Sequence, residues 1–168
     1  NWSVLTRFTT IAREVGNRPG IMVRIAPDVE TDTHRYLQTG HAASKFGFPL
    51  HNGEAKAALL RILSEGQFTL RGIHAHSGTM LRETRPYEES LQRLLSLAGE
   101  IFDETGWWPE EISPGGGWAC EMPGENSTDV HGLARALHCC MQQMLAARPE
   151  ALPAPTLVIE PGRSLIAR

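Results

Sequence analysis

Residues 156–160, TLVIE, decide the fold class of this chain. Three apolar residues follow one another without alternation, and Pro155 and Pro161 bound the run. A short continuous apolar run is typical of a strand covered on both faces, as strands in parallel sheets are. Short runs bounded by turn-forming residues predict three further strands, at Ile21–Ile25, Phe68–His76 and Glu110–Ser113.

Helical patterns separate these strands. Apolar residues recur at three- and four-residue steps in four segments, 2–16, 52–66, 85–106 and 127–149. Ser127 or Thr128 is the predicted N-cap of the last helix. Helices and strands therefore alternate, with strand starts about 40 to 50 residues apart, which predicts an α/β fold with a parallel sheet and helical crossovers. Four such strands fit an open sheet or half of a closed (β/α)₈ barrel.

The composition narrows the class of protein. The chain has 168 residues, 41% of them hydrophobic, and a formal net charge of −3, which predicts one globular domain. The charges form no basic stripe and no apolar run is long enough for a membrane span, so neither nucleic acid nor a membrane is expected as a partner. Three cysteines, Cys120, Cys139 and Cys140, fit neither a disulfide framework nor a zinc spacing, which favours a reducing cytosol.

Polar residues and glycines collect after the predicted strands. His76 ends the second predicted strand and Thr79 follows it, Gly115–Gly117 follow the third, and Glu160 ends the last predicted strand, with Arg163 in the turn after it. Because the carboxyl ends of parallel strands meet at one edge, these residues predict a single site there. Glycine amides, a hydroxyl, a guanidinium and a flat imidazole suit a phosphorylated ligand.

Each of these features also has a plainer interpretation. The glycine triplet fits a flexible surface loop, and a single histidine near a strand end is often structural. Glu160 and Arg163 would fit a local ion pair in a solvated turn. Lys45, in the segment SKFG, fits a surface lysine.

Five motifs in order carry a resemblance to a known family: RIAPDV, THRYLQTG…SKFG, GIHAHSGT, SPGGGW and IEPGRSLIA. Together they resemble the fold-type III pyridoxal-phosphate-dependent decarboxylases, the ornithine, diaminopimelate and arginine decarboxylase family, and are most similar to its diaminopimelate branch. The resemblance implies an alanine racemase-like (β/α)₈ barrel, with about four βα units present, and pyridoxal 5'-phosphate as cofactor. It also implies a cytoplasmic homodimer that decarboxylates an amino-acid substrate, meso-diaminopimelate, to L-lysine in lysine biosynthesis.

The resemblance also implies a role for individual residues. His76 would stack on one face of the cofactor ring, and Glu160 would keep the pyridine nitrogen protonated, which makes these two the catalytic candidates. Arg163 would also hold a substrate carboxylate. The remaining cofactor-binding candidates surround the phosphate: Thr79, Gly115, Gly116, Gly117, Pro161, Gly162 and Arg163.

Two departures from the family pattern limit these expectations. The family attaches its cofactor through a lysine on an early strand, and neither Lys45 nor Lys56 lies in such a motif. Residues 1–168 are therefore expected to be the central and C-terminal part of the barrel domain, without the lysine-bearing strands or the C-terminal β-domain, and inactive alone. Met80 replaces the glutamine usual in the diaminopimelate branch, which leaves ornithine, arginine or a specialised metabolite open as substrate.

Two interpretations from other classes compete with this one. A metal-dependent barrel hydrolase would use His74 and His76, an H-x-H pair on one face of a strand, to bind a divalent ion. A non-catalytic regulatory homologue would keep the fold without the reaction.

Overall fold

Five parallel strands form one sheet in the computed structural model, which describes residues 1–29, 46–121 and 126–166, without the side chains of residues 163 and 164. In chain order the strands are β1 (Gly20–Ala26), β2 (Phe48–Pro49), β3 (Thr69–His74), β4 (Glu111–Gly116) and β5 (Thr156–Glu160). Their spatial order is β2-β1-β3-β4-β5. All four neighbouring pairs are parallel, so the carboxyl ends of the strands meet at one edge, as predicted.

The helices are α1 (Trp2–Val15), α2 (Glu54–Glu65), α3 (Arg85–Thr105), α4 (Val130–Ala146) and α5 (Gly162–Ile166). The first four match the predicted segments. The predicted N-cap of α4 is wrong, because Asp129 takes that position and its side chain accepts a 2.9 Å hydrogen bond from the Gly132 amide. No helix among the described residues has the length and apolar composition that crossing a membrane requires.

Three strand predictions need correction. β2 was not predicted, and it pairs with β1 only at Ile25↔Phe48 and Ala26↔Pro49. β3 ends at His74, so His76 lies in the loop beyond the strand. β4 continues past Ser113 through two glycines, although glycine is a poor strand former, because those residues pair with β5.

The hydrophobic core lies between the sheet and the helices. Val23 and Ile25 of β1 are buried in it, and α3 alone buries ten residues. Successive side chains of a strand point to opposite faces, so Arg24 lies on the face away from this core. Near the carboxyl edge, the face of the sheet opposite the core therefore carries a polar side chain.

Helix α3 holds the loops that follow two of the strands. Arg93 Nη1 donates hydrogen bonds to the Pro27 and Asp28 carbonyls, at 2.6 and 2.7 Å, in the loop after β1. The Ser90 hydroxyl lies 2.6 Å from the Ser77 hydroxyl in the loop after β3, and both side chains are buried. Helix α3 thus fixes the loops at the edge where the candidate site lies.

Candidate functional site

The first residue of the glycine triplet lies against the loop that carries His76. A Cβ built on Gly115 would collide with the Ala75 carbonyl oxygen and lie 3.2 Å from His76 Nδ1. Gly115 also has a φ of +92°, in the left-handed region that favours glycine. The path of the backbone through Ala75 and His76 therefore requires the absence of a side chain at residue 115.

The other two glycines each lie against another predicted site residue. A Cβ on Gly116 would collide with the Glu160 carbonyl oxygen, since the two residues are partners in β4 and β5. A Cβ on Gly117 would collide with the Gly78 carbonyl oxygen and lie 3.3 Å from the Thr79 Cα. The three glycines thus bring His76, Glu160 and Thr79 together around one short segment.

The surface-loop interpretation of the triplet is wrong. Gly115 and Gly116 are buried residues of β4. The Gly115 amide donates a 3.1 Å hydrogen bond to Ser113 Oγ, a fully buried hydroxyl. That amide is therefore engaged within the protein itself.

His74 and Glu160 meet across β4. His74 Nε2 lies 3.0 Å from Glu160 Oε1, although the two residues belong to strands on either side of β4. Nε2 is buried, and the neighbouring carboxylate favours the protonated form of the imidazole. The Glu160 carboxylate remains 49% exposed and can take another partner.

Burial and nearby charge favour the neutral form of both histidines. Burial lowers the pKa of His74 and the pKa of His76, and the positive charge of Arg24 lowers both further. The Glu160 carboxylate opposes these effects without cancelling them. At neutral pH the site therefore has two uncharged imidazole rings beside one carboxylate.

Arg24 is a site residue to which sequence reasoning assigned no role. It is the register partner of His74 in the neighbouring strand, and its guanidinium lies 5.1 Å from the centre of the Phe46 ring. Burial lowers the pKa of Arg24, and the charge of Glu160 opposes this effect. A charged residue inside the apolar run IMVRIA, close to the strand's carboxyl end, is the signal that could have found it.

The structure describes the positions of some, but not all, of the remaining residues that the sequence analysis singled out. Pro161 links β5 to α5, Gly162 begins α5, and the backbone of Arg163 continues that helix, but the Arg163 side chain lies outside the described part. Lys45 lies outside the described residues. Lys56 is on α2, where it forms ion pairs with two glutamates of α3.

A comparison with protein families identifies the domain. Residues 3–167 match the family described as pyridoxal-dependent decarboxylase, pyridoxal binding domain.

The chain belongs to the pyridoxal-dependent decarboxylases. It is 36% identical over 149 residues to a diaminopimelate decarboxylase of Actinosynnema pretiosum subsp. auranticum, covering 88% of this chain and 33% of that protein. The structure of the Helicobacter pylori diaminopimelate decarboxylase complexed with L-lysine matches with a TM-score of 0.85 and 25% identity, covering 99% and 39% of the two chains. The diaminopimelate decarboxylase structure from M. jannaschii matches with a TM-score of 0.84 and 28% identity, covering 98% and 37%.

These likenesses confirm the predicted partial (β/α)₈ barrel and the predicted family, whose cofactor is pyridoxal phosphate. The chain spans between a third and two fifths of the length of these relatives. No comparison favours the metal-dependent hydrolase or the non-catalytic homologue. Within the described ranges, no three His, Cys, Asp or Glu side chains converge as a metal site would require.

The residues of the candidate site fit the chemistry of pyridoxal phosphate. A neutral, half-buried imidazole at His76 can stack on an aromatic ring without charge repulsion. The half-exposed Glu160 carboxylate can accept a hydrogen bond from a protonated ring nitrogen. The glycine segment beside Thr79 has no side chain that would keep a phosphate at a distance.

Proposed function

We propose that this chain is the central and C-terminal part of the pyridoxal-phosphate-binding barrel of a longer amino-acid decarboxylase. The lysine that holds the cofactor and a C-terminal β-domain would belong to the remainder of that protein. The lengths of the matched relatives support this, since the chain covers 33% of one and 39% of another.

We further propose that the full-length protein decarboxylates meso-diaminopimelate to L-lysine, as a homodimer in the cytosol. The support is the name shared by the relatives and structures described above, one of which contains L-lysine. The observation that carries the proposal is the arrangement around the triplet, in which His76, Glu160 and Thr79 each lie against one glycine at the carboxyl edge.

Glu160 would act at the cofactor's ring nitrogen. The bound cofactor supplies an electron sink for the electron pair released when carbon dioxide leaves. The Glu160 carboxylate would hold the proton on the ring nitrogen by a charge-assisted hydrogen bond, which keeps that sink strong. The neutral His76 ring would lie on the ring face and fix its orientation.

The other candidates would hold the phosphate end. Thr79 would donate its hydroxyl, and the triplet, Pro161 and Gly162 would contribute backbone groups, with Arg163 as counter-charge. Arg163 would also bind the substrate's carboxylate. Because the Gly115 amide already donates to Ser113, its hydrogen bond would have to be exchanged before that amide could bind phosphate.

The test is carbon dioxide release by the full-length protein with pyridoxal phosphate, using meso-diaminopimelate, ornithine, arginine and lysine separately. We expect release from diaminopimelate alone. Glu160→Gln should lower kcat by about 100-fold or more, the size of effect seen when one electrostatic group is removed from an active site. Glu110→Gln, which replaces an exposed carboxylate that pairs with Arg71 just before the amino end of β4, should not change it.

Release from another of the four amino acids would overturn the substrate assignment and leave the site in place. An unchanged kcat in Glu160→Gln would refute its role at the ring nitrogen. A full-length protein that binds no cofactor and releases no carbon dioxide would refute the proposed function as a whole.

A further inference from the structure

The hydroxyl of Thr128 joins the two loops that form the phosphate end of the site. Thr128 is 5% exposed and precedes α4. Its Oγ1 donates a 2.7 Å hydrogen bond to the Leu81 carbonyl, two residues beyond Thr79. The same oxygen accepts a 2.8 Å hydrogen bond from the Ala119 amide, two residues beyond Gly117.

Backbone hydrogen bonds extend this junction. The Leu81 amide donates to the Gly117 carbonyl at 2.9 Å, and the Ala119 amide is shared between Thr128 Oγ1 and the Leu81 carbonyl, the latter at 3.1 Å. The Thr128 amide donates to the Ala119 carbonyl at 3.1 Å. The two loops are therefore held at a fixed spacing at the point where Gly117 lies against Thr79.

The turn between Thr79 and Leu81 needs this support. Met80 has a φ of +60°, a left-handed conformation that is strained for a side chain of this size. Arg82 adds a second link, since its Nε donates to the Asn126 carbonyl at 3.1 Å and its Nη1 to the Met80 carbonyl at 3.4 Å. Hydrogen bonds at Met80 and at the two residues after it thus hold the turn in its strained form.

The Thr128 hydroxyl has no part in starting its own helix. Asp129 is the N-cap of α4 and accepts the hydrogen bond from the Gly132 amide. Both hydrogen bonds of the Thr128 hydroxyl go instead to the loops after β3 and β4. Its effect can therefore be separated experimentally from the stability of α4.

We propose that Thr128 is a positioning residue for the phosphate group of the cofactor. This rests on the proposed cofactor site: the hydroxyl sets the spacing between Thr79 and Gly117, which together face the phosphate. The ring end of the site, at His76 and Glu160, does not depend on it. Loss of the hydroxyl weakens the binding of the phosphate group and leaves the binding of the ring unchanged.

The test compares pyridoxal phosphate with pyridoxal, which lacks the phosphate, in the full-length apoprotein by equilibrium dialysis. Thr128→Val keeps the side-chain shape and removes the hydroxyl. We expect its Kd for pyridoxal phosphate to rise about tenfold, and its Kd for pyridoxal to stay within about twofold. Thr128→Ser, which keeps the hydroxyl, should restore most of the affinity.

Asp129→Ala is the matched control, because it removes the cap of the same helix and leaves the loop junction in place. It should lower Tm without changing the ratio of the two Kd values. An equal loss of affinity for both ligands in Thr128→Val, or no loss for either, would overturn the role of Thr128. Wild-type protein that binds neither ligand would instead refute the proposed cofactor site.

Hydrogen exchange on the wild-type protein tests, without a variant, whether the phosphate group acts on the two loops that Thr128 joins. Pyridoxal phosphate should increase the protection of residues 79–82 and 117–121 more than pyridoxal does. Equal protection by the two ligands would contradict the proposal even if Thr128→Val failed to fold.

Discussion

The three glycines of the site are required by the protein's own backbone, independently of any ligand. Gly115 and Gly117 have positive φ angles, and at all three positions a Cβ would collide with a carbonyl oxygen of a neighbouring segment. A glycine that contacts a phosphate and a glycine that admits a neighbouring strand look alike in a sequence. Loss of cofactor affinity after substitution at Gly116 would therefore not by itself identify a phosphate contact.

Gly116→Ala should destabilise the fold. Its added methyl group would meet the Glu160 carbonyl in a paired strand, which cannot move away without breaking the sheet. We expect a loss of about 2–3 kcal/mol in the free energy of unfolding of the apoprotein, measured with urea. Gly162→Ala is the control, since a Cβ there has no atom within 4 Å, and it should change stability by less than about 1 kcal/mol. Equal effects of the two variants would contradict the steric account.

The two site histidines should make stability depend on pH. Their folded-state pKa values are lowered, so the unfolded chain binds more protons as the pH falls below the ordinary histidine value of about 6.5. Their contribution to stability is complete above that pH and is lost as the pH falls toward the folded-state values. His74→Gln should flatten the dependence of unfolding free energy on pH between 7 and 5. A slope in His74→Gln equal to that of the wild type would contradict this account.

Among the elements, α3 supports the site through a buried polar pair. Ser90→Ala should leave the Ser77 hydroxyl without its partner in a position that is 1% exposed. We expect a loss of about 1–3 kcal/mol in unfolding free energy, the cost of an unsatisfied buried hydroxyl. The double variant Ser77→Ala/Ser90→Ala should lose less than the sum of the two single variants. Ser96→Ala, on the exposed face of the same helix, is the control. Additive single effects would show that the two hydroxyls do not interact.

Elements with a local signal could be predicted from the sequence. The four longer strands and four longer helices follow from apolar runs, from periodicity and from glycines such as Gly66 and Gly106, which end α2 and α3. The two-residue strand β2 could not be predicted, because it exists only through its pairing with the end of β1. The extension of β4 through its glycines likewise depends on β5, which overrides the local propensity.

Some features of the candidate site could likewise be predicted from the sequence, and others could not. That His76, Thr79 and Glu160 lie close together could be predicted, because the carboxyl ends of parallel strands share one edge. The relation between Arg24 and His74 depends on strand register, which a single sequence does not give. Ser127 or Thr128 was predicted to cap a helix, and only the three-dimensional arrangement of two distant loops shows which groups the Thr128 hydroxyl bonds.

At the scale of the whole molecule, the described part has two clusters of exposed apolar side chains. Helix α1 carries an exposed apolar stripe at four- and three-residue steps, formed by Val4, Phe8, Ile11 and Val15. At the other end, β5 is the last strand of the sheet, and the exposed apolar side chains there are Ile159, Leu165 and Ile166. Unpaired strand edges and contiguous apolar patches promote association.

The 168-residue chain produced by itself should therefore associate as its concentration rises, which sedimentation velocity at several concentrations would detect. Phe8→Lys/Ile11→Lys places two charges in the stripe of α1 and should reduce this association. Thr6→Lys/Thr10→Lys adds the same charge on the opposite side of that helix, where both residues are exposed, and should leave most of it. Equal reduction by the two double variants would mean that net charge controls the association. No reduction by either would assign the association to the β5 end of the sheet.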